Sequence, residues 1–321
     1  MDTPQMRAEP ALSLPSSMEG DGDGTPSQAE EDAHHLSPAL VDDDAMPMGV
    51  TNYIEKKVID LANCDYKDKD LEALLPIIEE NSNLRVVILR KNNLNLQDGT
   101  IVTALSKNKN LHTVCLSENE IGVAGAKQLP RLLVANTPII ATLNLCSCKL
   151  LDDGAIQIAD ALAQNKSLKS VELCSNFITH EGGVKIFDAL IHNETLTTLN
   201  LQNNCIGDVA ARHLAQTLAT NRSLRSINIG HNQIKDEGAE HIGEALKQPS
   251  TLKRLWVHQN LIGDRGTQAL LRGLADNFTI EKLWFNGCMI GPKSYMALLK
   301  ALEGREKEKV VRGVELKRNW K

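Results

Sequence analysis

From residue 56 to residue 321, apolar and polar positions alternate in a fixed eleven-residue figure. It is clearest in Leu252-Lys-Arg-Leu255-Trp-Val257-His-Gln-Asn260-Leu-Ile262. Positions one, four, six and eleven are apolar and position nine is Asn. Apolar residues two apart, such as Leu199 and Leu201, predict a short strand with one face turned into a core. The figure starts at Lys56, Leu84, Leu111, Ile140, Leu168, Leu196, Leu224, Leu252, Ile280 and Val311, with spacings of 28, 27, 29, 28, 28, 28, 28, 28 and 31. Position nine is Cys64, Asn92, Asn119, Cys148, Asn176, Asn204, Asn232, Asn260, Cys288 and Asn319. An Asn there can satisfy buried backbone groups where the strand turns away, and stacked copies predict a ladder. Cys is a small substitute that donates only a weak bond.

Between the strands the period changes to that of a helix. Ala155, Ile158 and Leu162 fall at i, i+3 and i+7 and share one face. Gly99, Gly125, Gly154, Gly182, Gly238 and Gly266 form a column at which the helix start can pack close to its neighbour. Asp98, Asp153, Asp236 and Asp264 stand near helix starts, where a carboxylate complements unpaired N–H groups. Asn165, Asn193 and Asn221 end helices, a place where Asn tolerates the left-handed conformation. Asn165, Asn193, Asn221 and Asn277 also begin N-glycosylation tripeptides, but they recur at one repeat column, which favours a structural role. Pro76 and Pro130 fall inside helical stretches and are expected to kink them.

These columns, with recurrences such as Asn176-Phe-Ile178 through Gly182, resemble the ribonuclease-inhibitor-like leucine-rich repeat family. They are similar to the repeat regions of NOD-like receptors and Ran GTPase-activating proteins. The resemblance covers residues 56–321. It implies an α/β leucine-rich repeat solenoid: a right-handed β-α superhelix, or horseshoe, with a parallel sheet on its concave face. About ten strand registers are expected within a domain spanning 51–321, the last truncated. The chain has no nucleotide-binding domain like those of the receptors. Its acidic segment is N-terminal, not C-terminal as in the Ran activators.

Composition divides the chain. The net charge is -6, yet residues 1–50 hold 11 Asp or Glu against Arg7 alone, so the remainder carries +4. Residues 1–50 also contain six of the 11 prolines and Glu19-Gly-Asp-Gly-Asp-Gly, and read as a disordered acidic tail. The tail is either a solvated terminus or a segment that contacts the basic body or a partner. Aromatic residues make up only 3% of the chain, which suits a core of stacked aliphatic repeats. No apolar run reaches the roughly 18 residues of a membrane helix, and no secretory signal is evident. Seven cysteines at irregular spacing fit reduced thiols in a cytoplasmic protein, with nucleus or cilium as alternative compartments. At the other end Arg312, Lys317, Arg318 and Lys321 would discourage addition of a further strand.

Candidate chemistry lies on the positions expected to face the concavity: three, five, seven and eight. Most are small or polar. The C-terminal third departs from this with Trp256 and Trp284 at position five, Arg254 and Lys282 at position three, and His258 and Asn286 at position seven. Trp and Arg dominate interface energies, so these six residues form the candidate partner-binding site. The competing reading is that the two indoles stack on each other and cover the open end. Cys146 and Cys174 share position seven on adjacent strands and are expected to be free thiols. There is no P-loop, no H-E-x-x-H and no G-x-S-x-G. The expectation is a non-enzymatic protein–protein interaction scaffold without cofactor, metal, small-molecule substrate, membrane or nucleic acid. The alternatives are a GTPase-activating protein for a small Ran-like GTPase, on the family resemblance, and a structural subunit of a cytoskeletal, ciliary or signalling complex.

Overall fold

A computed structural model describes residues 56–134, 140–275, 277–289, 291–294 and 296. All lie in the compact unit Met46–Lys321. The expectations for residues 1–50 and for the final register, 311–321, fall outside the described residues.

Among the described residues nine strands form one parallel sheet in sequence order. They are β1 (Val58–Asp60), β2 (Val86–Ile88), β3 (Thr113–Cys115), β4 (Thr142–Asn144), β5 (Ser170–Glu172), β6 (Thr198–Asn200), β7 (Ser226–Asn228), β8 (Arg254–Trp256) and β9 (Lys282–Trp284). Position three pairs with position three throughout, from Val58 with Val86 to Arg254 with Lys282. The central residue of every strand is buried, from Ile59 in β1 to Leu283 in β9. This is a leucine-rich repeat solenoid, with the sheet on one side and the helices on the other.

The helices are α1 (Leu75–Glu80), α2 (Thr100–Lys107), α3 (Gly122–Ala126), α4 (Pro130–Val134), α5 (Leu151–Gln164), α6 (His180–His192), α7 (Asp208–Thr220), α8 (Asp236–Leu246) and α9 (Asp264–Ala275). Ala155, Ile158 and Leu162 are fully buried on the inner face of α5. The two prolines divide helices instead of kinking them. Pro76 lies in the first turn of α1, just after a 3-10 helix at Asp68–Leu74. Pro130 is the first residue of α4 and separates it from α3. A proline lacks the N–H that a continuous helix would need there, but it fits a first turn.

The position-nine ladder forms as the sequence predicts. The Asn204 amide donates to the carbonyls of Leu173 (3.1 Å) and Leu201 (3.0 Å). Its oxygen accepts from the backbone N–H of Asn176 and of Ile178, both at 3.0 Å. Each such Asn therefore ties two coils together. Cys148 keeps only the donor half, from Sγ to the Leu116 carbonyl at 3.2 Å, and burial pushes its thiol pKa up to about 12.

Position eight is left-handed in every described register, with φ between 50° and 68° from Asn63 through Gln259 to Gly287. This turn swings the chain off the strand so that position nine points inward. Only Gly287 marked the column in the sequence, because eight other side chains accept the strain.

One capping expectation is corrected. Asn165, Asn193 and Asn221 are not left-handed; their backbones are extended, with φ from -66° to -84°. They form a second ladder instead. Asn193 donates to Leu162 O (2.7 Å) and accepts from Thr195 N (2.9 Å) and Leu196 N (2.8 Å). Asn165, Asn221 and Asn277 repeat the pattern with Leu133, Leu190 and Leu246. Their amide nitrogens are buried and bonded, which agrees with the structural reading of the glycosylation tripeptides.

The carboxylates near helix starts serve the next repeat more than their own. Asp152, and not Asp153, accepts from Thr179 N (2.8 Å) and Gly182 N (2.9 Å) at the start of α6. Asp208 and Asp236 do the same for α8 and α9. Asp98 is the exception and caps Thr100 N locally at 2.9 Å. The glycine column follows from this contact: a Cβ on Gly182 would stand 2.7 Å from Asp152 Oδ1 and 2.9 Å from Ala155 Cβ.

Candidate functional site

The sheet's open face is built from the residues that alternate with the buried ones. At position five, Asp60, Asn144, Asn200 and Asn228 accept from the N–H two residues on, at Ala62, Cys146, Gln202 and Gly230, over 2.9–3.0 Å. These side chains are turn caps; Asp60 is also exposed and Asn144 half-buried, whereas Asn200 and Asn228 are buried. The sequence signal was an Asx residue two positions before position seven.

At β8 and β9 the caps give way to Trp256 and Trp284. In-register parallel pairing sets the same strand position side by side, so the indoles stack with centroids 4.2 Å apart and planes 7° from parallel. Trp256 is 6% exposed and thus buried, contrary to the expectation of two exposed rings. Trp284 is half-buried. Lys282 Nζ lies 5.6 Å from the Trp284 ring centroid, a cation over an aromatic face. Arg254 stands half-buried beside Lys282.

His258 occupies space that Gly230 leaves. A Cβ on Gly230 would fall 2.2 Å from His258 Cε1. The ring also meets His231 edge-on, with centroids 5.2 Å apart at 85°. Burial, with a smaller push from His231, lowers the His258 pKa to about 4, and burial lowers that of His231. Both rings are therefore neutral at pH 7. Among the described residues, the buried His258 Nδ1 has no hydrogen-bond partner. Asn286 is half-buried one strand on, and its carbonyl accepts from Gln259 N at 2.8 Å.

Of the six residues singled out from the sequence, Arg254, Trp256, Lys282 and Trp284 thus lie on two adjacent strands, and His258 and Asn286 stand two residues beyond them. His231 and Gln259, both exposed, were missed and extend the surface, and the buried Gly230, also missed, leaves room for the His258 ring. Across positions three, five, seven and eight of the β7–β9 registers there is no carboxylate. Of the earlier registers, those of β1, β3 and β5 carry Asp60, Glu118 (paired with Arg90 at 2.7 Å) and the buried Glu172, and those of β2, β4 and β6 carry none.

Cys146 and Cys174 are joined in a disulfide with Cα atoms 4.6 Å apart, which corrects the expectation of free thiols. Compartment composition argued for reduction. The parallel register nevertheless sets these two residues at a separation within the disulfide range of about 4.4–6.8 Å. The other five cysteines are free.

Among the described residues no group of three or more His, Cys, Asp or Glu is placed to hold a metal ion. No described helix is long and apolar enough to cross a membrane. A cleft lies between the 3-10 helix, α1 and α2, lined by Glu72, Pro76, Glu79, Asp98 and Thr103, away from the tryptophans.

Residues 192–215 and 220–243 match the family model described as Leucine Rich repeat. No curated protein matches the chain. Among solved structures, leiomodin-1 actin-binding site 2 is 23% identical at a TM-score of 0.41, covering 49% of this chain and 90% of that one. The tropomodulin C-terminal domain of Caenorhabditis elegans is 16% identical at a TM-score of 0.39, covering 49% and 94%. Likenesses this low say nothing about a partner.

Proposed function

We propose that this chain is a non-enzymatic binding solenoid that seats a protein partner on the concave sheet at β8 and β9. The observation that carries the reading is the Trp256–Trp284 stack with Lys282 over its outer member. A buried Trp256 cannot itself be a contact of any size. It instead fixes Trp284 in one orientation, and a preoriented aromatic anchor loses little entropy on binding. Lys282 and Arg254 flank that anchor, His258 and Asn286 border it on the other side, and the patch carries no carboxylate. This is the composition of an interface centre: an aromatic anchor with cations around it.

A helix on the outer side of each 28-residue coil, in the well-formed repeats from α5 to α9, supports assigning the ribonuclease-inhibitor-like subtype.

The test is affinity capture from cells with the wild type, with Lys282→Ser/Trp284→Ala, and with a control altered on the outer helical face, Gln216→Ala. Loss of the same captured proteins from the double variant alone supports the reading. An unchanged set, with the variant folded by circular dichroism, overturns it.

A further inference from the structure

We propose that Cys146 and Cys174 form a reversible thiol–disulfide site, oxidised and reduced by a small couple of the glutathione class. It is independent of the partner surface.

The repeat fixes the geometry. Both residues stand at position seven of adjacent coils, just beyond β4 and β5, and their Cα atoms are 4.6 Å apart. The rungs on either side are backbone: Leu145 N donates to Glu172 O and Ser147 N to Cys174 O, both at 2.9 Å. These two bonds do not involve the sulfurs; a third does, donated by Cys174 N–H to Cys146 Sγ at 3.2 Å, and a reduced Cys146 can accept it equally. The bond can therefore open and close without rearrangement of the sheet, and the reduced sulfurs stay within reach of each other. Both residues are half-buried on the sheet's open face and not sealed in the core, which leaves a way in for a small thiol.

The remaining cysteines set the site apart. Cys148 shares a tripeptide with Cys146, but it is fully buried, donates to Leu116 O, and has its thiol pushed up to about 12. Cys288 is pushed to about 12 by the same cause. No other described register has cysteine at position seven; Gln202, Gly230, His258 and Asn286 follow in the column. The site is confined to one joint between coils.

Oxidation proceeds by exchange. A thiolate of one cysteine attacks a sulfur of glutathione disulfide, forming a mixed disulfide and expelling one glutathione thiolate. The second protein thiolate attacks the protein-side sulfur of that mixed disulfide. The 146–174 bond closes and the second glutathione leaves. Two electrons pass from the protein thiols to glutathione disulfide, and the two protons end on the two glutathione thiols; reduction is the reverse. The second step is intramolecular and the register has already placed its nucleophile, so the mixed disulfide should not accumulate.

The test equilibrates the full chain in buffers of graded glutathione to glutathione disulfide ratio, followed by quenching, alkylation and peptide mapping by mass. Cys146 and Cys174 should lose alkylation together, in one two-electron transition, linked to each other. Cys148 should remain a thiol throughout. Cys146→Ser should instead leave Cys174 carrying one glutathione at the oxidising end. In the wild type three results would overturn the proposal. The pair could stay fully alkylated at the oxidising end, carry separate glutathione adducts, or remain linked at the reducing end in the folded protein.

Discussion

Trp256 and Trp284 stack face to face, 4.2 Å between centroids, because in-register parallel strands place position five beside position five. The two rings are not equivalent: Trp256 is buried and Trp284 is half-buried. Trp256→Ala should cost about 3–5 kcal/mol, the range for emptying a large buried site, and Trp284→Ala markedly less. Either substitution should abolish an exciton couplet in circular dichroism. Urea denaturation separates the two, and equal losses of stability would contradict the assigned burial.

The position-nine ladder makes a sharper prediction than its exposed neighbours. Asn204→Ala leaves the N–H groups of Asn176 and Ile178 without their acceptor inside the solenoid. The expected cost is about 2–4 kcal/mol, from the usual penalty for stranding buried donors. Gln216→Ala, exposed on α7, should change stability by less than about 0.5 kcal/mol. Chemical denaturation midpoints of the two variants check the contrast.

Acid should weaken the C-terminal third through His258. Its folded pKa is about 4, lowered first by burial and then by His231, whereas an unfolded imidazole titrates near 6.5. Between those values the unfolded chain binds more protons. The stabilisation from this group is therefore complete above about pH 6.5 and is lost as pH falls toward 4. Gly230→Ala should displace the ring and return its pKa toward 6.5, which an NMR titration of the His258 ring would read. An unchanged pKa in that variant would contradict the packing of His258 over Gly230.

The Cys146–Cys174 bond closes a loop with a sequence separation of 28, one full coil. Loop-closure entropy for that length gives about 3–4 kcal/mol of stabilisation relative to the reduced chain. Thermal unfolding with and without reductant should show a lower midpoint when reduced, and Cys174→Ser should remove the difference. A midpoint insensitive to reductant would show that the bond contributes nothing to the fold.

The fold was legible because each coil repeats one sentence. The position-three column of the sequence, from Val58 to Lys282, is the rung register of the sheet. What was misread depended on contacts with the next coil. Asn193 looks like a helix end, but its amide reaches back to Leu162 in the preceding coil. Asp152 looks interchangeable with Asp153 until the N–H groups of Thr179 and Gly182 choose between them. The candidate site was half legible: the departures at Arg254, Trp256, His258, Lys282, Trp284 and Asn286 stood out against their columns. Gly230 did not, since a missing side chain signals nothing until a ring is seen to fill its place. The disulfide was hidden for another reason. Composition argued about the compartment, whereas the bond follows from the spacing of two strands.

The most direct test of the partner surface is site-specific photocrosslinking in cells, with a photoreactive residue at position 286 on the concave side and, separately, at position 216 on α7. A surface that seats a protein predicts a discrete adduct from 286 that is absent from 216 and lost when Trp284→Ala is added. No adduct from 286, or the same adducts from both positions, would contradict it.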